Sequence, residues 1–284
     1  MVCREYVDQN QYRANINIPY DNKSKRQVFD IYYPRGLENK MPLIIYIHGG
    51  GYVEGDKRTS SLRPYLEALK NGYAVASLNY RLCYEEPFPA AILDVRKAIR
   101  YIKENSEYLR IDPERIAVAG NSAGGYLSEM LCTAYDSRYF LDLEEKSDTS
   151  CKVSCGVACF SPVNFSTFYE EHKANGDALE DEKKDVYLPS LFLGQDASTA
   201  PKELLEQAST TTYINPDMVP MLLQHGSRDR VIPVQQSIGF AKKAEELAPG
   251  KVSFEIIENG DHSSDHFYTD DNIQKWLDFI YKHI

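Results

Sequence analysis

The chain has 284 residues, 42 acidic side chains against 32 basic ones, and a formal charge of −10 at neutral pH. Its 43% hydrophobic content is ample for a sizeable core, at a length that suits one large α/β domain or two small ones. The acidic balance, with no lysine or arginine block long enough to track phosphates, argues against nucleic acid as a partner.

Taken in chain order, the first twenty residues hold no apolar core of the kind an export signal carries. No later window approaches the roughly 18 consecutive apolar residues of a membrane span. The expectation is a soluble, intracellular protein located in the cytoplasm, with no membrane partner. "YRANINIPY" and "QVFDIYYP", parted by the polar "DNKSKR", read as an antiparallel hairpin at a sheet edge. "PLIIYIHG", "YAVASLNY", "RIAVAG", "KVSCGVACFSP", "VPMLLQHG" and "VSFEIIE" follow as further strands, and most are continuously apolar. Strands of a parallel sheet covered on both faces read in this way.

Between the strands lie helical stripes: Ala91, Val95, Ala98, Ile99 and Ile102, then Leu127, Met130, Leu131 and Ala134, and at the C-terminus Ile273, Trp276, Leu277 and Ile280. Strand and helix taking turns predicts βαβ units and an α/β fold, a mostly parallel central sheet of about eight strands flanked by helices. We expect one domain over residues 1–284. Six cysteines are too few for a disulfide-dense scaffold. Cys151, Cys155 and Cys159, four apart, would share one face of a strand, and we read them as small buried hydrophobes rather than metal ligands. Residues 163–199 mix charge, aromatics and turn residues without a clean period, and are expected to form a lid or pocket-lining insertion.

The stretch "GNSAGG", Gly120 to Gly125, sets one serine among glycines where a strand gives way to a helix. Glycine inside such elements costs roughly 0.5–1 kcal/mol relative to alanine, so this cluster implies a backbone requirement. GxSxG between strand and helix is the nucleophile elbow, which holds its serine, here Ser122, clear of the sheet. Upstream, "IYIHGGGY" ends a strand with Gly49 to Gly51, an arrangement that lets backbone N–H groups face a developing oxyanion. Gly50, Gly51 and Ala123 are the candidate donors.

A serine hydroxyl needs a base, and the base an orienting carboxylate. Asp229 in "SRDRVIP" and His262 in "NGDHSSDHF" follow successive strands in the order Ser, Asp, His. His266 is the second candidate for the base, and Asp265 or a glutamate the fallback for the acid. Asp261 adjoins His262 and is badly placed to orient it. His48 and His225 end strands before glycines and are read as loop-holding, His172 and His283 as surface residues. Phe165, Phe168 and Tyr169 either shape an acyl or alcohol pocket or pack in the core.

With these residues assembled, the chain resembles the α/β-hydrolase superfamily, specifically its hormone-sensitive-lipase-like and bacterial feruloyl-esterase-like carboxylesterases. The resemblance runs from about residue 27 to the C-terminus. It rests on "HGGGY", "NYRLCYEEPFPAAILDV", "IDPERIAVAGNSAGGYL", "HGSRDRVIPVQQS" and "GDH" before the last helix. It implies an α/β-hydrolase fold, Ser122 as nucleophile, Asp229 as acid, His262 as base, and Gly50, Gly51 and Ala123 as oxyanion donors. Asn121 departs from the lipase-like pattern, which has an acidic residue before the serine, and "DRVIPVQQS" is closer to the feruloyl-esterase-like and prolyl-oligopeptidase-like branches. The expected activity is hydrolysis of small, short-chain acyl esters, acetyl-type or with a sugar or aryl alcohol, through an acyl-enzyme. No metal or organic cofactor is needed, and the partner is a small-molecule ester. Two alternatives are a peptidase or amidase of the prolyl-oligopeptidase type and a non-catalytic binding homologue.

Overall fold

In the computed structural model, which describes residues 12–36, 39–175 and 188–284, the apolar runs become eight strands. They are β1 (Tyr12–Pro19), β2 (Val28–Pro34), β3 (Met41–Ile47), β4 (Ala74–Leu78), β5 (Ile111–Asn121), β6 (Cys155–Cys159), β7 (Met221–Gly226) and β8 (Val252–Ile257). They form one sheet in the order β1-β2-β4-β3-β5-β6-β7-β8. β1 with β2 and β2 with β4 pair antiparallel, and every other pair is parallel. Only β2 therefore runs against the rest, and the expected hairpin lies at one edge. β3, β4, β6 and β7 are buried along their whole length, which is why their sequences do not alternate: helices cover both faces.

Successive side chains of a strand point to opposite faces, and the core divides accordingly. Leu43, Ile45 and Ile47 of β3 join the cluster that includes Val95, Ile99, Leu127 and Phe240. Ile44 and Tyr46 join the cluster on the other face, with Tyr65, Trp276 and Ile280. The helix Ala90–Glu104 buries the stripe read from the sequence together with Asp94, Arg96 and Arg100, and the helix Asp270–His283 buries Trp276, Leu277 and Ile280, with Ile273 half-buried beside them. The helix Ala123–Thr133 is buried on every side; each large apolar side chain buried this way contributes about 1.5–3 kcal/mol. A buried polar clamp ties β7 to the C-terminal helix: Gln224 and Asn272 exchange hydrogen bonds of 2.7 and 2.9 Å, and the Trp276 indole donates to Gln224 at 2.7 Å.

One expectation needs correction. β6 begins only at Cys155, so Cys151 lies in the preceding segment and packs in the core of one face, while Cys155 and Cys159 pack in the other. All three are buried as small hydrophobes, but they do not share a face. The aperiodic stretch 163–199 contains two helices, Phe165–Ala174 and Leu188–Leu193; its residues 176–187, like 1–11, lie outside the described residues. No helix among the described residues is long and apolar enough to cross a membrane.

Candidate active site

Every candidate functional residue follows the C-terminal end of a parallel strand, the edge at which open α/β sheets bind ligands. β5 ends at Asn121, and Ser122 then adopts φ +54°, ψ −126° before the helix Ala123–Thr133 begins. A non-glycine residue in such backbone costs on the order of 1–3 kcal/mol and persists only where its surroundings hold it. They do so here through the Ser122 amide, which donates to the Cys159 carbonyl at 2.9 Å, and through close packing of the glycines. A Cβ on Gly120 would overlap the carbonyl of Gly124, and one on Gly124 would overlap the carbonyl of Ile47. The glycines therefore let the helix start directly against β3 and β5, which turns the serine outward.

His262 Nε2 lies 3.0 Å from Ser122 Oγ, and its Nδ1 lies 2.8 Å from Asp229 Oδ2. Asp229 is 5% exposed, and its other oxygen accepts the backbone N–H groups of Val231 and Ile232, both at 2.8 Å. Burial alone would favour the neutral acid, but hydrogen bonds from His225 and His262 outweigh it and hold the carboxyl far below the usual range. His225 is fully buried, with Nδ1 2.7 Å from Ser237 Oγ and Nε2 3.0 Å from the Ile232 carbonyl and 3.4 Å from Asp229 Oδ2. It holds its loop, as the sequence suggested, and also touches the carboxylate, which no local pattern announced. Phe160, in left-handed backbone at φ +43°, sets its ring edge against the His262 imidazole at 4.7 Å; this residue, too, escaped the sequence reading.

The rivals separate on geometry. His266 is exposed and lies 3.3 Å from Ser264 Oγ, and Asp265 is exposed beside it. Asp261 accepts the His262 backbone N–H at 2.8 Å and pairs with Arg230 at 2.7 Å, so it steadies the histidine loop without reaching the ring nitrogens.

The glycine loop after β3 lies against the serine: a Cβ on Gly49 would come within 3.3 Å of Ser122 Cβ. Gly50 and Gly51 have φ of +109° and +58°, conformations that glycine adopts without strain. Among the described residues the N–H groups of Gly50, Gly51 and Ala123 have no acceptor, and all three residues line the cleft over Ser122. His48 braces this loop. Its ring stacks on Tyr80 at 4.5 Å and its Nδ1 is 2.7 Å from the Gly49 carbonyl. Burial lowers its pKa to about 4, so it is neutral near pH 7 and takes no proton from the site.

The cleft has a volume of about 1500 Å³. Phe165, Phe168 and Tyr169 line it, with Leu188 from the following helix; the first two are also buried, at 6% and 4% exposure. Phe165 and Phe168 thus pack in the core and border the cleft at once, whereas Tyr169 is exposed at its edge. His172 is not a plain surface residue: it lines the cleft and packs on Phe168 at 5.5 Å. A second groove, of about 650 Å³, lies at the opposite end of the strands against Glu114, Lys103 and Lys251, away from Ser122.

Comparison with known proteins agrees with this architecture. The BD-FAE family model matches residues 29–244, a stretch that includes Ser122 and Asp229 and stops short of His262. Esterase LipC of Mycobacterium tuberculosis is 27% identical over 241 residues, which are 84% of this chain and 57% of that protein. Carboxylesterase NlhH of the same organism is 40% identical over 101 residues, 36% of this chain and 32% of that protein. The chain thus spans little more than half of the length of LipC. A solved structure described as a truncated form of carbohydrate esterase from gut microbiota superposes with a TM-score of 0.83 at 23% identity, covering 97% of this chain and 98% of that one. A propionate-bound esterase from Thermogutta terrifontis gives 0.72 at 18%, covering 98% and 97%. These two likenesses establish a shared fold, and the family match extends over most of the sheet. The chain belongs to the BD-FAE family of α/β-hydrolases.

Proposed function

We propose that the protein is a serine carboxylesterase that hydrolyses small, short-chain acyl esters with a sugar or aryl alcohol. The observation that carries this reading is the imidazole of His262, bridging Ser122 Oγ at 3.0 Å and Asp229 Oδ2 at 2.8 Å. Asp229 holds the Nδ1–H tautomer, so Nε2 presents a lone pair to the serine hydroxyl. Ser122 Oγ attacks the ester carbonyl carbon while His262 takes its proton. The oxygen that becomes negative lies against the N–H groups of Gly50, Gly51 and Ala123, where each donor is worth about 2.7–4 kcal/mol of transition-state stabilisation. The carbon–oxygen bond to the alcohol breaks, the alcohol leaves with the proton from His262, and an acyl-serine remains. Water deprotonated by the same histidine then releases the acid and restores Ser122.

Relatives described as esterases support the reaction class, and the apolar wall formed by Phe165, Phe168 and Tyr169 supports an acyl group of modest size. The test is hydrolysis of 4-nitrophenyl acetate by the purified Ser122→Ala variant. A loss of kcat on the order of 10⁶, as for removal of a triad nucleophile, is expected; turnover at the parent's rate would refute the assignment.

A further inference from the structure

The polar turn that joins β1 to β2 carries an arginine directed at the glycine loop and its brace. Arg26 is half-buried, and its turn is fixed by the next residue: Gln27 is fully buried, donates to Asp94 Oδ1 at 2.8 Å and accepts the Ser24 backbone N–H at 2.8 Å. The guanidinium then reaches three acceptors. Its Nε donates to the Tyr80 carbonyl at 3.0 Å, and its Nη2 donates to the Gly55 carbonyl at 2.8 Å and to His48 Nε2 at 3.3 Å. The loop 49–55, which holds the amides of Gly50 and Gly51, is thereby tied at both ends, directly at Gly55 and through His48 at Gly49.

A guanidinium only donates and a carbonyl only accepts. His48 stands between one of each, with Nε2 towards Arg26 and Nδ1 2.7 Å from the Gly49 carbonyl. The neutral imidazole that satisfies both carries its proton on Nδ1 and its lone pair on Nε2. The Gly49 carbonyl is then held towards the ring as an acceptor. A trans peptide sets its C=O and the following N–H in opposite directions, so the Gly50 N–H points away from the ring, and among the described residues it meets no acceptor. The other tautomer would set an Nε2–H against the guanidinium and a bare Nδ1 against the carbonyl oxygen. Turning the Gly49–Gly50 peptide would relieve the second clash, and the Gly50 N–H would turn with it. The arrangement has no slack: a Cβ on Gly55 would overlap His48 Nδ1 and the Gly49 carbonyl, and Tyr80, stacked on the imidazole, donates its hydroxyl to the His48 carbonyl at 2.9 Å.

We infer that Arg26 is a positioning residue for the oxyanion: by fixing the Nδ1–H tautomer of His48 and the carbonyl of Gly55, it sets the direction in which the Gly50 N–H meets the ester oxygen. Arg26 does not line the cleft, so it acts through the loop and not on the substrate. Its effect belongs on kcat rather than KM, because the ester oxygen becomes anionic only as the transition state forms. This inference rests on the esterase reading, in which the loop amides receive that charge.

Arg26→Met keeps the aliphatic stem and removes the donors. On 4-nitrophenyl acetate its kcat is expected to fall about ten- to 100-fold, somewhat less than deletion of an oxyanion donor outright, at unchanged KM. Methylguanidinium added to the variant restores part of the lost kcat, and methylammonium restores less. Histidine-selective NMR of the parent shows the ring proton of His48 on Nδ1. A variant with the parent's kcat, a loss confined to KM, a loss that methylguanidinium does not restore, or a parent His48 protonated on Nε2 would each overturn the inference and leave the esterase reading standing. If Arg26→Met does not fold, judged by its melting curve, Arg26→Lys is read instead: one ammonium cannot span the three acceptors, so kcat falls at unchanged KM, and parental kcat overturns the inference. A parent that neither cleaves the ester nor reacts with a fluorophosphonate would remove both readings.

Discussion

Replacing Asp229 by asparagine tests the relay without changing its shape, because the side chains are isosteric and the structure dictates how the amide must turn. Asp229 Oδ1 accepts two backbone N–H groups at 2.8 Å while Oδ2 faces His262 Nδ1. An asparagine that points its NH₂ at the amides of Val231 and Ile232 leaves two buried donors unsatisfied, at about 1–3 kcal/mol each. The amide oxygen is therefore held towards the backbone, favoured by roughly 2–6 kcal/mol, and the NH₂ faces His262. The imidazole must then accept at Nδ1 and carry its proton on Nε2, so it has no lone pair for Ser122. At 1.4 kcal/mol per decade, the productive tautomer drops about 30-fold to 10⁴-fold, before the lost stabilisation of the imidazolium is counted. We expect kcat on 4-nitrophenyl acetate to fall roughly 10⁴-fold, about 5.4 kcal/mol of barrier, in a variant that still folds because its backbone hydrogen bonds survive. A folded Asp229→Asn protein retaining kcat within ten-fold of the parent would refute this reasoning and turn attention to Asp265.

Two further predictions follow from buried groups near the elbow. Glu129 is 1% exposed, its Oε1 has no hydrogen-bond partner among the described residues, and burial raises its pKa from 4.5 to about 8. Between those values the folded protein holds a proton that the unfolded chain lacks, so Glu129 lowers stability progressively as pH rises through that window. Glu129→Gln should therefore melt near the parent's temperature at pH 5 and above it at pH 8.5, by an amount on the order of a few kcal/mol; parallel melting curves would count against a protonated Glu129. Gly124→Ala should lower stability by about 1–3 kcal/mol, because its Cβ has no room beside the Ile47 and His48 carbonyls. Any displacement of Ser122 and the Ala123 amide should also cost activity, on the order of 10²-fold for 1 Å, measured by melting and steady-state kinetics.

What the sequence revealed is what local pattern encodes. Continuous apolar runs identified β3, β4, β6 and β7 because burial on both faces removes alternation, and the order of Ser122, Asp229 and His262 along the chain follows the order of the strands that carry them. The glycines of "GNSAGG" were legible because their close contacts, Gly120 with Gly124 and Gly124 with Ile47, leave no other residue type room. Features made by closure of the fold were not legible. His225 reaches Asp229 because a loop turns back between them, and Phe160 reaches His262 from a strand far away in sequence. The Asn121 to Tyr268 hydrogen bond spans 147 positions. The polar sequence neighbours of His172 suggest a surface residue, yet the helix Phe165–Ala174 places it beside Phe168 at the cleft. The strand carrying Cys155 starts too late to include Cys151, a boundary of the kind that apolar content does not mark.

The most direct measurement is covalent: incubation of the parent with a fluorophosphonate, followed by peptide mass spectrometry to locate the adduct. The account predicts a single phosphonylated residue, Ser122, and adduct formation slowed by orders of magnitude in His262→Ala, in which no base takes the serine proton. An adduct on another residue, or labelling of Ser122 at the parent's rate without His262, would contradict it.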